Sequence, residues 1–216
     1  MSNHTHKILW TIMAGKNKFK SLDRKLDVFS GRTESSFTRF LTVRHPLTRL
    51  YSGWNEHLEL KPNGKGGMKV RGQQAKLFGI LKKDWTKTHA CTFPKFIELM
   101  LQSIVKSELK GRLKPSNIDG HHRPISDSCM VCQMQYEFIM KQETMDEDSN
   151  YFLKNILKDS KIELEKQKVR NGSPDPYSHL KKYCDIDDTA VKAIERYYKL
   201  DFELFGYEKF VRDDVC

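Results

Sequence analysis

The composition of the chain is that of a folded globular protein. Of its 216 residues 38% are apolar and 31% are charged, which excludes wholesale disorder and suits one domain over residues 1–216. The 38 Lys and Arg exceed the 28 Asp and Glu and give a net charge of +10, which favours anionic partners (nucleic acid, acidic lipid, nucleotides or sulfated polysaccharide) without choosing among them.

The first half of the chain predicts a helix, a strand and a second helix. Apolar residues at positions 8, 9, 12 and 13 predict an amphipathic helix over residues 7–19. Residues 37–43 (FTRFLTV) are β-branched and aromatic, which predicts a buried strand. Pro46 is expected to begin a helix that runs to about residue 60, because its missing N–H would be unpaired in a first turn anyway. Residues 61–87 follow as a basic stretch with eight Lys or Arg and one acid.

The second half continues the alternation. Helices are predicted over residues 93–109, 144–157 and 187–198, a strand over residues 136–140 (YEFIM), and a charged loop over residues 161–180. Thr144 is expected to cap its helix, since acids follow it in the first turn. Strands that alternate with helices predict an α/β fold with a mostly parallel sheet flanked by helices.

No segment predicts insertion into a membrane. No run approaches the roughly 20 apolar residues of a spanning helix. The most apolar early run, residues 8–14, is too short and lacks a cleavage site, so it is not a signal peptide.

Residues 40–54 (FLTVRHPLTRLYSGW) carry the strongest chemical signal. They combine a buried strand, a turn with Arg44, and a helix that displays Arg49 and Ser52. Helix N-termini attract phosphate, and arginine adds a planar, bidentate grip. Ser52 lies about 9 Å along the helix axis, so a phosphate shared with Arg44 has to lie alongside the helix. The spacing equally allows a structural role, in which Arg44 pairs with a core carboxylate and Ser52 faces a neighbour.

The same segment resembles the element by which sulfotransferases hold the 3′-phosphate of 3′-phosphoadenylyl sulfate. In the Golgi carbohydrate sulfotransferases that make chondroitin, dermatan and related sulfated glycans, it reads approximately R-D/E-P-F-x-R-L-x-S-A-Y. The residues that match in order and spacing are Arg44, Pro46, Arg49, Leu50 and Ser52, and those that depart are His45, Leu47, Gly53 and Trp54. The resemblance implies a P-loop-like sulfotransferase fold in which Arg44 and Ser52 contact the 3′-phosphate.

Three further blocks follow in the family's order. Residues 121–124 (HHRP) resemble its H-W-x-P, residues 129–144 resemble its C-x-P-C, Y-D-F and E-T-L run, and residues 197–207 (YYKLDFELFGY) resemble its closing Y-x-x-D-F-x-x-F-G-Y. The match extends in scattered blocks from residue 8 to residue 207. The sequence pattern of these blocks is similar to that of nematode-like enzymes of the chondroitin 4-O type.

His121 is the first candidate for a catalytic base. Sulfuryl transfer needs a base near the acceptor hydroxyl, histidine suits neutral pH, and His121 matches the family's histidine. An equally open alternative is a loop histidine that packs or orders the substrate. Glu143 is a second candidate, although its place is more typical of a structural carboxylate at a strand end.

The pair Cys129-x-x-Cys132 allows half a zinc site, a redox pair, a disulfide or buried thiols. A zinc site needs two further ligands, and no second pair stands out. A disulfide or buried thiols is therefore the favoured interpretation. The resemblance likewise implies no metal, because charge on the leaving sulfuryl group is stabilised by a lysine and by backbone N–H groups.

The resemblance also implies parts that this chain does not show. The family binds the 5′-phosphosulfate with a loop resembling P-K-x-x-C/S-T-x-W-K, and this chain starts where that loop ends. The first strand, the donor loop and any membrane anchor are therefore expected upstream of residue 1. The family further implies the luminal side of the Golgi membrane, a glycosaminoglycan acceptor, and chondroitin 4-O-sulfation as the specific activity.

Two other functions stay open on the sequence. A chain without the donor loop is compatible with an inactive remnant that binds nucleotide or acidic glycan. The basic residues 61–87 include Phe78 and Trp85, a mixture that nucleic-acid-binding modules use. No nucleic-acid fold signature accompanies them, so nucleic acid is not an expected partner.

Overall fold

The structure is a computed structural model, and it describes residues 38–55, 92–110, 118, 120–156, 175 and 177–216. The predicted helix over residues 7–19 and the basic stretch 61–87 lie outside these residues. The main elements are β1 (Phe40–Val43), α1 (Pro46–Trp54), α2 (Phe93–Glu108), α3 (Ile125–Ser128), β2 (Phe138–Lys141), α4 (Met145–Tyr151), α5 (Asp188–Tyr197), α6 (Lys199–Phe205) and α7 (Arg212–Val215).

Three short 3₁₀ helices join these elements: the His121 turn (Gly120–His122), the β2 exit turn (Gln142–Thr144) and the His179 turn (Ser178–Tyr183). Residues 178–180, predicted as loop, therefore belong to a helical turn. The reason is local: the N–H of Leu180 donates to the carbonyl of Tyr177 at 2.8 Å, which starts a three-residue hydrogen-bond pattern.

The two strands pair in parallel and confirm the α/β fold class. Phe40 lies opposite Phe138 and Val43 opposite Lys141. Parallel neighbours need a long crossover, and α2 lies in the chain between them. Both strands begin later than predicted, at residue 40 instead of 37 and at residue 138 instead of 136.

Helix α1 forms because its apolar residues recur at helical spacing behind an N-terminal proline. Pro46 occupies its first turn, and the buried positions 47, 50, 51 and 54 share one face. Each fully buried leucine of that face contributes about 1.5–3 kcal/mol. The structure describes the helix as far as Trp54, and its predicted extension beyond residue 55 lies in residues that are not described.

Helix α2 confirms its prediction closely and packs against α1. Phe93, Phe96, Ile97 and Met100 are buried along one side. The ring of Phe93 meets that of Tyr183 edge-on, with centroids 5.1 Å apart, and also contacts rings of α1. These contacts bring α1, α2 and the His179 turn together around the ring of Phe93.

The side-chain cap predicted for α4 at Thr144 does not form. Thr144 does precede the helix, but its side chain makes no cap hydrogen bond. Its hydroxyl instead donates to a carboxylate oxygen of Asp148 at 2.9 Å, and the same oxygen accepts the backbone N–H of Lys141 at 2.7 Å. The carboxylate of Asp148 draws the hydroxyl away from the helix N–H groups. Beyond α4, residues Phe152–Ile156 continue as a π-helical turn.

The C-terminal region contains a disulfide that the sequence analysis did not anticipate. Cys184 and Cys216 are bonded, whereas Cys129 is half-buried and free, and Cys132 is exposed and free. The interpretation of residues 129 and 132 as a disulfide or a pair of buried thiols is therefore wrong. Cys132 is exposed, so it does not serve as a buried thiol. Within the described ranges, no helix has the length and apolar content needed to cross a bilayer.

Candidate functional site

The residues of the candidate site lie where the two parallel strands end. Arg44 follows the last residue of β1, and the β2 exit turn follows β2. In open α/β sheets, ligands bind in the crevice beyond the carboxyl ends of the strands. The topology therefore brings Arg44 and Glu143 to the edge of the sheet that such folds use for binding.

Glu143 closes the entrance of α1. One of its carboxylate oxygens accepts the backbone N–H of His45 at 2.8 Å, and the other accepts the hydroxyl of Tyr207 at 2.9 Å. Burial raises the pKa of Tyr207, and the negative charge of Glu143 raises it further. Glu143 is thus a structural carboxylate, and it takes the place that an anion would occupy at the mouth of the helix.

His45 is buried beside this carboxylate and explains the departure from the family's acidic residue. Its Nε2 lies 3.0 Å from the carbonyl oxygen of Glu208, to which it donates, and its ring meets those of Phe202 and Tyr207 edge-on. Burial lowers the pKa of His45, so the ring is neutral at pH 7. A neutral aromatic ring fits this apolar contact where a second carboxylate beside Glu143 would be repelled.

Arg44 is held by neutral partners. Its Nε donates to Oγ1 of Thr48 at 3.1 Å, and one terminal nitrogen lies 3.3 Å from Nδ1 of His179. Arg44 forms no ion pair with a carboxylate in the described part of the chain, although the charge of Glu143 partly offsets the lowering of the Arg44 pKa by burial. The open alternative of a core ion pair therefore finds no partner among these residues.

Ser52 lies on the same side of α1 as the hydroxyl that holds Arg44. It follows Thr48 by four residues, and residues at this spacing lie one above the other on a helix. The two positions are about 6 Å apart along the axis. Thr48 accepts from Arg44 and donates its own proton to the carbonyl of His45 at 3.1 Å, and the half-buried Ser52 follows one turn further along the same side of the helix.

His121 lies on a different wall of α1. It is exposed in its 3₁₀ turn, and its backbone carbonyl accepts a hydrogen bond from Arg49 at 3.1 Å. A second nitrogen of Arg49 donates to the carbonyl of Arg123. The His121 turn is therefore attached to α1 through Arg49, while the contacts of Arg44 run to the His179 turn.

Arg49 is itself fixed by a buried carboxylate. Its terminal nitrogen lies 4.0 Å from Asp201 of α6, which is 1% exposed and accepts the N–H groups of Ile125 at 2.7 Å and Ser126 at 2.8 Å. The carboxylate thus joins α6, α3 and Arg49. Arg49 has a structural role, although it matches the family element as well as Arg44 does.

Gly53 makes room for the His121 turn. A Cβ at this position would lie 3.0 Å from Nε2 of the buried His122 and 3.7 Å from the carbonyl oxygen of His121. The first distance is shorter than an ordinary van der Waals contact. This chain has Gly53 where the family has alanine and His122 where the family has tryptophan. The two departures belong together, because the glycine leaves room for the histidine ring.

The His179 turn carries two residues that the sequence analysis missed. The ring of His179 lies 4.9 Å from that of Tyr51, and Nζ of Lys182 lies 6.0 Å from the same ring. The spacing His-x-x-Lys places both on one side of a helical turn, but His179 lies in the predicted loop over residues 161–180 and Lys182 just beyond it. That spacing was the only sequence signal, and it is weak without the turn.

The comparison with known families decides the affiliation. A sequence profile described as the sulfotransferase family matches residues 2–208, nearly the whole chain. The chain belongs to the sulfotransferase family. Among its described residues, the chain contains no cluster of three or more His, Cys, Asp or Glu arranged to hold a metal ion.

Curated relatives of this sulfotransferase are carbohydrate sulfotransferases. Carbohydrate sulfotransferase 9 of Homo sapiens is 27% identical over 183 residues, which cover 80% of this chain and 38% of the relative. Carbohydrate sulfotransferase 12 of Mus musculus is 26% identical over 179 residues, covering 80% and 41%. Carbohydrate sulfotransferase 14 of Danio rerio is 25% identical over 174 residues, covering 79% and 44%. The chain thus spans less than half the length of these relatives. No solved structure matches it significantly.

Proposed function

We propose that this protein transfers a sulfuryl group from 3′-phosphoadenylyl sulfate to a sugar hydroxyl, and that Arg44 and Ser52 bind the 3′-phosphate of the donor. The observation that carries the proposal is the state of Arg44. Its guanidinium lies beyond the carboxyl ends of the strands, and its hydrogen-bond partners among the described residues are the neutral side chains of Thr48 and His179. A half-buried cation of this kind gains most from an added anion.

Arg44 and Ser52 fit a phosphate better than a planar carboxylate, because a phosphate has a third oxygen for the serine to reach. Arginine offers two N–H groups to two oxygens, and Ser52 lies on the same side of α1 to reach a third. Because Glu143 occupies the mouth of the helix, the phosphate lies alongside α1. Hydrogen bonds to a charged group contribute about 1.5–3 kcal/mol each.

The proposed reaction is an in-line displacement at sulfur. The bond from sulfur to the phosphate oxygen of the donor breaks, and a bond from sulfur to the acceptor oxygen forms. The hydroxyl proton passes to a base, for which we propose His121, whose exposure leaves the ring accessible. The products are adenosine 3′,5′-bisphosphate and a sulfate ester.

The acceptor we propose is a glycosaminoglycan, with chondroitin 4-O-sulfation as the specific activity in a nematode-like branch. The support is the family membership and the matching relatives, whose names say carbohydrate sulfotransferase. The net charge of +10 favours a polyanionic acceptor by long-range attraction.

We also propose a luminal location in the Golgi and a single domain over residues 1–216. The Cys184–Cys216 disulfide supports the location, because disulfides persist in the oxidising secretory pathway and are rare in the cytosol. The family match over residues 2–208 supports the single domain.

A sulfate-transfer assay tests the proposal. The protein expressed from its full gene is incubated with radiolabelled donor and with chondroitin, dermatan and heparan chains, and the labelled chondroitin is digested to disaccharides. We expect label on the 4-position of chondroitin. Label on other glycans only would overturn the acceptor, and nucleotide binding without any label would identify the inactive remnant.

Two variants assign the residues in the same assay. Ser52→Ala is expected to raise the donor KM about tenfold, the effect of losing one hydrogen bond to a charged group. His121→Gln is expected to lower kcat by about 100-fold or more with the donor KM unchanged. Lys199→Gln, which removes an exposed charge on α6, is the matched control and is expected to leave both constants unchanged. An unchanged kcat in His121→Gln would exclude it as the base.

A further inference from the structure

The hydrogen bond between Arg44 and His179 fixes the protonation state of the histidine. A guanidinium has only donors, so Nδ1 of His179, 3.3 Å from the terminal nitrogen of Arg44, has to accept. The proton of the neutral imidazole is then on Nε2. In this state Nδ1 of His179 accepts a hydrogen bond from Arg44, and Nε2 of His179 carries the single N–H of the ring.

The groups around His179 keep it neutral. From the α1 side it faces Arg44, Thr48 and the ring of Tyr51, and from its own segment it faces Lys182 and Asp175. Burial lowers the pKa of His179, and the charge of Arg44 lowers it further. Lys182 acts in the same direction as Arg44, while Asp175 and the backbone of Thr48 oppose them.

A phosphate beside Arg44 would shift this balance. A dianion beside Arg44 offsets the positive charges of Arg44 and Lys182, so the protonated form of His179 is favoured more than in the free protein. Arg44 then donates to phosphate oxygens in place of Nδ1. The released Nδ1 can take a proton from solvent, and the resulting imidazolium donates from both nitrogens.

We propose that His179 is a further residue of the donor-binding site, which binds the 3′-phosphate together with Arg44 and takes up one proton from solvent when the nucleotide binds. The inference rests on the proposed function, since it needs the phosphate beside Arg44. Lys182, three residues further along the same turn and next to Tyr51, adds a positive charge to this side of the site. The pocket for the phosphate is thus built from α1 on one side and the His179 turn on the other.

Calorimetry with adenosine 3′,5′-bisphosphate tests the inference. Binding is measured between about pH 7 and pH 8.5, where the ligand phosphates stay ionised, in buffers that differ in their heat of ionisation. We expect the wild-type protein to take up protons on binding, at most one per nucleotide, and its affinity to fall as the pH rises, by at most tenfold per pH unit. Adenosine 5′-monophosphate, which lacks the 3′-phosphate, is expected to bind without proton uptake.

Substitution of the histidine gives the second arm. His179→Gln is expected to abolish the uptake and the pH dependence and to weaken binding about tenfold. His179→Asn serves in the same way if the first variant does not fold, and Lys199→Gln, at an exposed position of α6, is the control that is expected to leave the proton uptake unchanged.

The outcomes separate the two proposals. A wild-type protein that does not bind the bisphosphate overturns the proposed function. The proposed function stands, and the role of His179 is overturned, if the wild-type protein binds the bisphosphate without proton uptake or with the same affinity at every pH. The same conclusion follows if His179→Gln binds as the wild-type protein does. If neither variant folds, the proton uptake of the wild-type protein, compared between the two nucleotides, still decides.

Discussion

The two sides of α1 provide different partners for Arg44 and Arg49, two arginines of the same short segment. On one side, Arg49 donates to the carbonyls of the His121 turn and faces the buried carboxylate of Asp201. On the other side, Arg44 finds a hydroxyl and a neutral imidazole. Arg49 forms an ion pair with a buried carboxylate, whereas Arg44 forms none in the described part of the chain and is only partly offset by the charge of Glu143.

The difference shows why a matching motif does not assign a function to each of its residues. Both arginines match the same family element, and they are five residues apart. Their different roles become evident only when the contacts that each arginine makes with distant segments are known. The partners of Arg49 come from residues 121, 123 and 201, and the partner that marks Arg44 comes from residue 179.

The largest expected effect is the loss of stability in Arg49→Ala. Removing the guanidinium leaves the buried carboxylate of Asp201 without its counter-charge and two carbonyls without a donor, a change that costs about 3 kcal/mol. Urea denaturation followed by circular dichroism measures it. A loss below about 0.5 kcal/mol would show that the comparison between the two sides is wrong.

Gly53→Ala tests the fit between α1 and the His121 turn, with a smaller effect. Alanine favours a helix over glycine by about 1 kcal/mol, but its Cβ would lie 3.0 Å from Nε2 of His122. Overpacking of a buried ring costs about 1–3 kcal/mol, so we expect a net loss near 1 kcal/mol. A variant more stable than the wild-type protein would contradict this expectation.

The smallest expected effect is a pH dependence that arises on the Arg44 side. The pKa of His45 is lower in the folded protein than in the unfolded chain because the ring is buried. Its contribution to stability is therefore complete above the unfolded pKa of about 6.5 and is lost as the pH falls through the folded value. We expect the free energy of unfolding to decline between pH 7 and pH 5, and to decline less in His45→Gln. Equal declines would exclude His45 as a source.

Local patterns allowed the elements to be predicted, while the site needed long-range contacts. The spacing of apolar residues determines α2 within a few residues and the proline determines the start of α1, so these two predictions were confirmed. The cap at Thr144 failed because Asp148, one turn ahead, competes for the hydroxyl. The local sequence does not show which of the two partners, the helix N–H groups or the carboxylate of Asp148, the hydroxyl of Thr144 will bind.

The same distinction applies to the functional residues. Arg44 and Ser52 stood out because they share one segment, and the structure adds Thr48 between them on the same side of α1. His179 lies 135 residues from Arg44 in the chain, so no spacing rule connects them. The disulfide escaped prediction for a similar reason, since its cysteines are 32 residues apart and belong to no motif.

The most direct test of the account compares nucleotide binding and stability in Arg44→Ala. The dissociation constant for adenosine 3′,5′-bisphosphate is measured by calorimetry on the wild-type protein and the variant, together with urea denaturation of both. Loss of a bidentate, charge-assisted contact predicts binding weaker by about 100-fold, with stability within about 1 kcal/mol of the wild-type value. A variant that binds the nucleotide as tightly as the wild-type protein, or a wild-type protein that does not bind it, would contradict the assignment of Arg44.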